Sequence, residues 1–344
     1  MSNVALKSTT SPAGAAVAFW RGETLVALVV FIALALLPLF VGGYAIYILP
    51  QYLLFGLLAL SLGLLWGIAG IVSFGQAAFF ALGGYAMGLV MQTGIGAEAG
   101  WLGLVAATLV GGLLAAISGY FLFSAGVRAT YFVLITLALS IITEQIAVSQ
   151  SQITGGWNGM FVDRISLGFG PLGEVPLYQD VAAYYFVLPV VALVYFATRA
   201  LTVARFGKIL VGIRENEDRM VALGYTVSSH KTVAFALSGS IAGLAGGLYA
   251  THSNFVSPSL AGVLFSTEVV VWVALGGRLS LLGALIGGVV VSALSNYLSS
   301  VTPQYWQLIV GLIFIAVIVF FKDGLAGLIS DIAARMWRGL RQHG

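Results

Sequence analysis

Ten runs of mostly apolar residues, 24–42, 45–66, 73–92, 101–123, 130–149, 183–199, 231–250, 262–276, 279–297 and 305–321, alternate with polar breaks along the chain. About 20 such residues make a helix long enough to cross the hydrocarbon core of a bilayer. The pattern therefore predicts an all-α polytopic membrane protein with about 10 transmembrane helices. Two runs are weaker: 73–92 is rich in Gly and holds Gln76, and 262–276 is short and holds Glu268. Either reads as a full span or as a re-entrant segment. The frame is a tail over 1–23, a membrane domain over 24–321 and a basic tail over 322–344. Two longer polar breaks fall inside it, at 150–182 and at 198–231.

Charge fixes an orientation. The chain has 344 residues, 60% hydrophobic and 8% charged, against about 25% charged in an ordinary soluble domain. Ten spans force alternate loops onto opposite sides. Of 15 Lys and Arg, 14 then fall on one side: Lys7, Arg21, Arg128, the six from Arg199 to Lys231, Arg278, Lys322, Arg335, Arg338 and Arg341. Arg164 alone falls on the other. Positive charge marks the cytoplasmic side, so both termini and the loop at 200–230 are expected in the cytoplasm and the loop at 150–182 outside. Lys7 and Arg21 before Leu25 to Val41 imitate a secretory signal, but that run is long for one and no small-x-small site follows. It reads as a retained span. The net charge of +3 marks topology and does not point to nucleic acid.

Glycine spacing predicts close packing. Many of the 44 glycines stand four apart, as at Gly63 and Gly67, Gly84 and Gly88, Gly239, Gly243 and Gly247, and Gly283 and Gly287. In lipid, such stripes let helix backbones approach and gain dispersion contacts. Packing within one subunit is the expected use. Residues 80–89 match 235–244 at six of ten positions, which points either to a parallel internal repeat or to shared Gly and Ala composition.

The chain shows no chemical engine. Gly207-Lys208-Ile209 lacks the glycine spacing and the Ser or Thr of a phosphate-binding loop, and neither His-Glu-x-x-His nor Gly-x-Ser-x-Gly occurs. His230, His252 and His343 are isolated, and there are no cysteines to form disulfides, thiolate metal sites or nucleophiles. No catalytic residue, metal site or cofactor is expected. Glu144 and Glu268 are the carboxylates inside spans, where a charge costs roughly 2.5–3.5 kcal/mol at the bilayer centre. They must face protein or water, as structural hydrogen-bonding groups, as part of a solute route or as proton-coupling groups. Gln76 and Thr136 are further polar positions within spans, suited to a solute route or to bonds between helices; Ser140 and Gln145 resemble them.

The break at 198–231 has helix punctuation at its centre. Asn216 is an N-cap residue, Glu217 and Asp218 place negative charge in a first turn, and Gly224 is a C-terminal stop. This predicts a two-turn helix from about Asn216 to Leu223. Isolated helices below about 12–15 residues are marginal. It must dock, either back on its own bundle or on a partner.

At this point several stretches resemble a known family. They are Leu60 to Tyr85, with Gly67, Gly70, Ser73, Gly75 and Gln76 at its centre; the run from Tyr131 through Thr136; the loop Thr154-Gly155-Gly156-Trp157-Asn158-Gly159; Arg205 to Gly224; and Val273 to Gly283, with Gly276, Gly277 and Arg278. In this order, across roughly 45–328, they resemble the permease subunits of branched-chain amino acid and urea or short-chain amide ABC importers. The resemblance implies a bacterial inner-membrane protein embedded in lipid and paired with a second, homologous permease. It also implies two cytoplasmic ATPases and a periplasmic solute-binding protein. In such importers a short Glu-Ala-Ala type motif ending in Gly docks the ATPase. Arg214, Glu215, Asn216, Glu217, Arg219, Ala222, Leu223 and Gly224 occupy that place here, with a more acidic middle. By the same resemblance, Thr154, Gly155, Gly156, Trp157 and Asn158 belong near the binding protein or the outer mouth. That loop and Trp272 to Arg278 look closer to the urea and amide branch, although Trp157 departs from it, and branched-chain amino acids stand close behind. The alternative from the residues alone is an ion-coupled secondary transporter of a small neutral solute.

Overall fold

The computed structural model describes residues 12–93, 99–127, 129–168, 174–176, 179–320 and 327. The predicted basic tail lies outside them apart from Gly327, as do Lys7 and Arg128. Helix α1 runs Pro12–Leu36, and α2 runs Tyr44–Gly63 and continues into a π-helical turn at Leu64–Ala69. Next come α3 (Gln76–Gln92), α4 (Ala99–Ser124), α5 (Ala129–Ser149) and a single turn, α6 (Ser151–Thr154). The polar break holds three short strands, β1 (Met160–Phe161), β2 (Ser166–Gly168) and β3 (Glu174–Pro176). Then follow α7 (Asp180–Val203), α8 (Arg205–Glu215), α9 (Glu217–Ala222), α10 (Val227–Ser253), β4 (Phe255–Val256), α11 (Val263–Gly276), α12 (Leu281–Val301) and α13 (Trp306–Phe320). Strand β1 pairs antiparallel with β4, and β2 with β3.

Each of the ten apolar runs coincides with one helix. Among the described residues, six helices are long and apolar enough to cross a membrane: Tyr44–Ala69, Ala99–Ser124, Thr130–Ser149, Asp180–Val203, Val227–Ser253 and Leu281–Val301. The protein is an all-α, multi-pass membrane protein. The two weak runs are short in space as well, and so is 305–321, where α13 has 15 residues. With 17 and 14 residues, α3 and α11 rise only about 25 and 21 Å, less than the roughly 30 Å of hydrocarbon.

Helix α2 forms the centre, buried without a break from Leu53 to Leu65. Around it, glycines set the contacts. A Cβ on Gly83 of α3 would run into the Gly243 carbonyl of α10, and one on Gly246 into the Phe80 carbonyl. Gly111 of α4 meets the Gly239 carbonyl in the same way, and Gly276 of α11 meets that of Gly283 on α12. The small-residue stripes are thus spent on packing within the chain, as expected. The two similar decapeptides lie on α3 and α10, and these helices pack on each other. The outer face of α4 carries Leu102, Val105, Leu109, Leu113 and Ile117, all exposed at helical spacing.

One buried ion pair ties the periphery down. Glu23, the last residue of the expected N-terminal tail, lies inside α1 and is buried; its carboxylate accepts from Arg199 of α7 at 2.6 Å. Its other oxygen accepts from the Ser280 hydroxyl at 2.8 Å and from Leu282 N–H at 3.3 Å, at the start of α12. Sequence spacing carries no sign of a contact between residues 176 positions apart.

Candidate functional site

The polar segment folds into two helices rather than one. Helix α8 presents Leu210 and Ile213 to the core and packs Phe206 and Ile209 against it, while Arg205 and Lys208 face outward. Spacing of i, i+3, i+4 and i+7 is the mark of an amphipathic helix, and it was there in the sequence. Asn216 is extended and separates α8 from α9. Its side-chain oxygen accepts from Arg219 N–H at 2.8 Å, which is the expected N-cap. Gly224 has φ +87°; its N–H reaches the Val221 carbonyl at 2.9 Å, and Tyr225 N–H reaches that of Met220 at 3.1 Å. This is the expected glycine stop, one residue earlier than the sequence places the end of the helix.

Six residues cannot hold a helix alone. Besides its cap, α9 is held by Glu217, whose carboxylate meets Lys231 of α10 at 2.5 Å, and by Met220, which packs on Gly212 of α8. Its remaining surface is bare. Glu215, Asn216, Glu217, Arg219, Ala222, Leu223 and Gly224 are exposed, as are Val221 and Tyr225. Leu223 is 66% exposed. Arg214 behaves differently: it is half-buried and turned inward, donating to the Gly67 carbonyl at the π-helical end of α2. Its other terminal nitrogen donates to Glu215 at 2.9 Å. A cavity of about 450 Å³ opens beside it, lined by Ile71, Val72, Phe123, Phe132, Arg214 and Lys231 among others.

Between α2 and α3 the chain leaves helical geometry over Gly70–Gly75; Gly70 is exposed, and from Ile71 to Gly75 the segment is buried or half-buried. Non-helical backbone at membrane depth is tolerated only where protein or a water-filled cavity receives its polar groups. Helix α5 supplies them here. Thr136 Oγ1 accepts from Phe74 N–H at 3.2 Å, and Ser140 Oγ donates to the Phe74 carbonyl at 2.8 Å. Gln76, buried at the start of α3, accepts from the Ser61 hydroxyl at 3.1 Å, and among the described residues its Nε2 has no partner. Glu144 stands two turns beyond Thr136 along α5. Both its carboxylate oxygens lie 3.2 Å from where a Cβ on Gly262 would be, at the N-terminus of α11, an end that favours negative charge. Glu268 is half-buried on α11. The four candidates lie on α3, α5 and α11, which pack on one another.

The other polar loop sits at the opposite end. Arg164 lies over the Tyr47 ring at 5.5 Å, donates to Asn254 at 2.7 Å and pairs with Asp180 at 3.5 Å. Tyr47 and Gly67 are 20 residues apart on one helical run, about 30 Å at 1.5 Å per residue. Arg164 and Arg214 thus mark the two ends of α2. In the Thr154 to Asn158 loop, Thr154 Oγ1 bonds the Ala147 and Gln150 carbonyls at 2.5 and 2.9 Å, and Gly155 and Gly156 have φ +77° and +58°. Trp157 is 75% exposed and Asn158 is exposed beside it. The loop is thus fixed in place and presents an aromatic ring.

The family described as "Branched-chain amino acid transport system / permease component" matches residues 44–318. The high-affinity branched-chain amino acid transport system permease protein LivM of Escherichia coli (strain K12) is 26% identical over 310 residues, covering 84% of this chain and 71% of that protein. A probable branched-chain amino acid transport permease protein LivM of Methanocaldococcus jannaschii is 28% identical over 270 residues, 70% of this chain and 77% of that protein. The D-allose transport system permease protein AlsC of Escherichia coli (strain K12) is 27% identical over 249 residues, 70% of this chain and 72% of that protein. No solved structure matches.

Proposed function

The chain belongs to the family of branched-chain amino acid ABC transporter permease subunits, and from that premise we propose that it is one membrane half of an ATP-driven importer in a bacterial inner membrane. It stands beside a second, homologous permease and receives a small polar solute from a periplasmic binding protein. Two separate ATPases supply the energy, one of them docking on α9. The observation that carries this is α9 itself. It is a capped helix too short to stand alone, exposing Val221, Leu223 and Tyr225 at one end of the bundle. In this reading that end is cytoplasmic, both termini lie on the same side, and ten passes run through 24–321. The loop at 150–182 faces outward, with Trp157 towards the binding protein.

A branched-chain amino acid is the favoured solute, because the LivM relatives are named for that transport. A relative named for D-allose argues that the scaffold alone does not choose the solute. Urea or a short amide rests on the Thr154 to Asn158 loop. Gln76, Thr136, Glu144 and Glu268 are the proposed polar positions along the route. The test is reconstitution of the complete complex in proteoliposomes, comparing wild type with Leu223→Asp. Uptake that requires ATP in wild type, and ATPases that fail to co-purify with the variant, support the reading. Uptake by the permease pair alone on an ion gradient sinks it.

A further inference from the structure

The geometry points to Arg214 as a positioning residue that carries movement of the docking helix into the membrane, by holding α8 to the broken end of α2. The inference rests on the ATPase-docking reading of α9 and adds a route inward from it. Whatever displaces α9 acts on α8 through the extended residue Asn216 and through Met220 where it packs on Gly212, and Arg214 stands two residues before Asn216.

Two contacts join Arg214 to α2. Its guanidinium donates to the Gly67 carbonyl, one of the last-turn carbonyls that a helix end leaves without a helical donor. The π-helical turn accentuates this, since Ile71 N–H reaches back to Leu65 at 3.1 Å and passes over the nearer carbonyls. The aliphatic stem of Arg214 then lies on Gly70, where a Cβ would stand 2.5 Å from Arg214 Cγ and where φ is +72°. The side chain thus grips the last turn of α2 and its terminal residue, where the helix breaks. Beyond Gly70 comes the irregular backbone to Gly75, and then Gln76, whose buried Nε2 has no partner among the described residues. Gly67 has a second neighbour: a Cβ there would strike the Arg278 carbonyl in the α11–α12 connection. A shift of Gly67 is therefore felt by the segment leading to Gln76 and by the link between α11 and α12.

The cavity beside Arg214 is lined by α8, by the start of α10 at Ser228 and Lys231, and by the ends of α4 and α5 at Phe123 and Phe132. It lets α8 and α9 move with the α2 break without first displacing a packed core. Close-packed interfaces elsewhere in the bundle, such as Gly83 against Gly243, have no such freedom.

The test uses the complete complex, with both permeases, the ATPases and the binding protein, in proteoliposomes where ATP hydrolysis and uptake are read together. Arg214→Gln is expected to keep all subunits together while solute moved per ATP falls about tenfold, a size common for coupling between sites. Arg214→Lys, whose longer side chain keeps a charged donor for Gly67 where the shorter, neutral glutamine amide does not, is expected to recover most of the wild-type ratio. A wild-type ratio in Arg214→Gln overturns the inference. So does loss of the ATPases from that variant, or an equal defect in Arg214→Lys. If Arg214→Gln does not accumulate, Arg214→Met probes the same contact, since it keeps the aliphatic stem on Gly70 and removes the donor to Gly67; the same uncoupling supports the inference and a wild-type ratio overturns it. Failure of the docking reading shows up separately, as ATPases that still co-purify with Leu223→Asp.

Discussion

Glu23 and Arg199 meet at 2.6 Å with side chains only 6% and 5% exposed, joining helices 176 residues apart in sequence. Removing one member of a buried pair leaves the other charge desolvated, at a cost of about 3–5 kcal/mol, whereas replacing both with apolar groups is often neutral. Glu23→Ala should therefore lower the melting temperature in detergent clearly, and Glu23→Leu with Arg199→Met should recover most of the loss. Equal losses in the single and double variants would show that the pair is not the source.

The glycine contacts make a size-dependent prediction. Gly243→Leu puts a side chain where Ala107 and Gly111 of α4 already stand, and overpacking of this kind typically costs about 1–3 kcal/mol, occasionally more. Gly311→Ala, with nothing within 4 Å of its Cβ position, should be silent. Thermal unfolding of the two variants side by side checks this; equal behaviour would contradict the packing account.

At Gly224 the constraint is conformational. No atom lies within 4 Å of a Cβ there, yet φ is +87°. Asn tolerates the left-handed region and Pro is fixed near φ −65°. Gly224→Asn should keep transport coupled to ATP hydrolysis, and Gly224→Pro should uncouple it. Normal coupling in the proline variant, measured as solute moved per ATP, would remove α9 from the coupling path.

The caps of α9 were legible because they are local: Asn216 and Gly224 act on backbone groups within four residues. The all-α, multi-pass character and the six helices long enough to cross a membrane were legible because apolar run length is set by bilayer thickness. What was missed is long-range or double-valued. Arg199 reads from sequence as one more cytoplasmic charge, and only the fold brings Glu23 to it and Ser280 to Glu23. Arg164, the lone basic residue of its loop, gave no sign of its contacts with Tyr47, Asn254 and Asp180. Helix α8 was hidden because its charges, Arg205, Lys208 and Arg214, dominate a segment whose apolar positions nonetheless repeat at helical spacing. Thr136 was flagged as a polar position, but its service to Phe74 depends on where the chain breaks between α2 and α3. Arg214 sat in the expected docking motif, yet its side chain turns away from the exposed face.

The absence of cysteine from the chain makes orientation directly measurable. Trp157→Cys should react with a membrane-impermeant maleimide added to intact cells from which the outer membrane has been stripped. Leu223→Cys should react only after the membrane is opened. The reverse pattern would invert the proposed topology.

The most direct measurement is a photo-cross-link from the docking helix. A benzophenone maleimide on Leu223→Cys, in membranes holding the whole transporter, is predicted to join this chain to an ATPase subunit, and the same probe on Trp157→Cys is predicted not to. A cross-link to an ATPase from Trp157→Cys, with none from Leu223→Cys, would contradict the account.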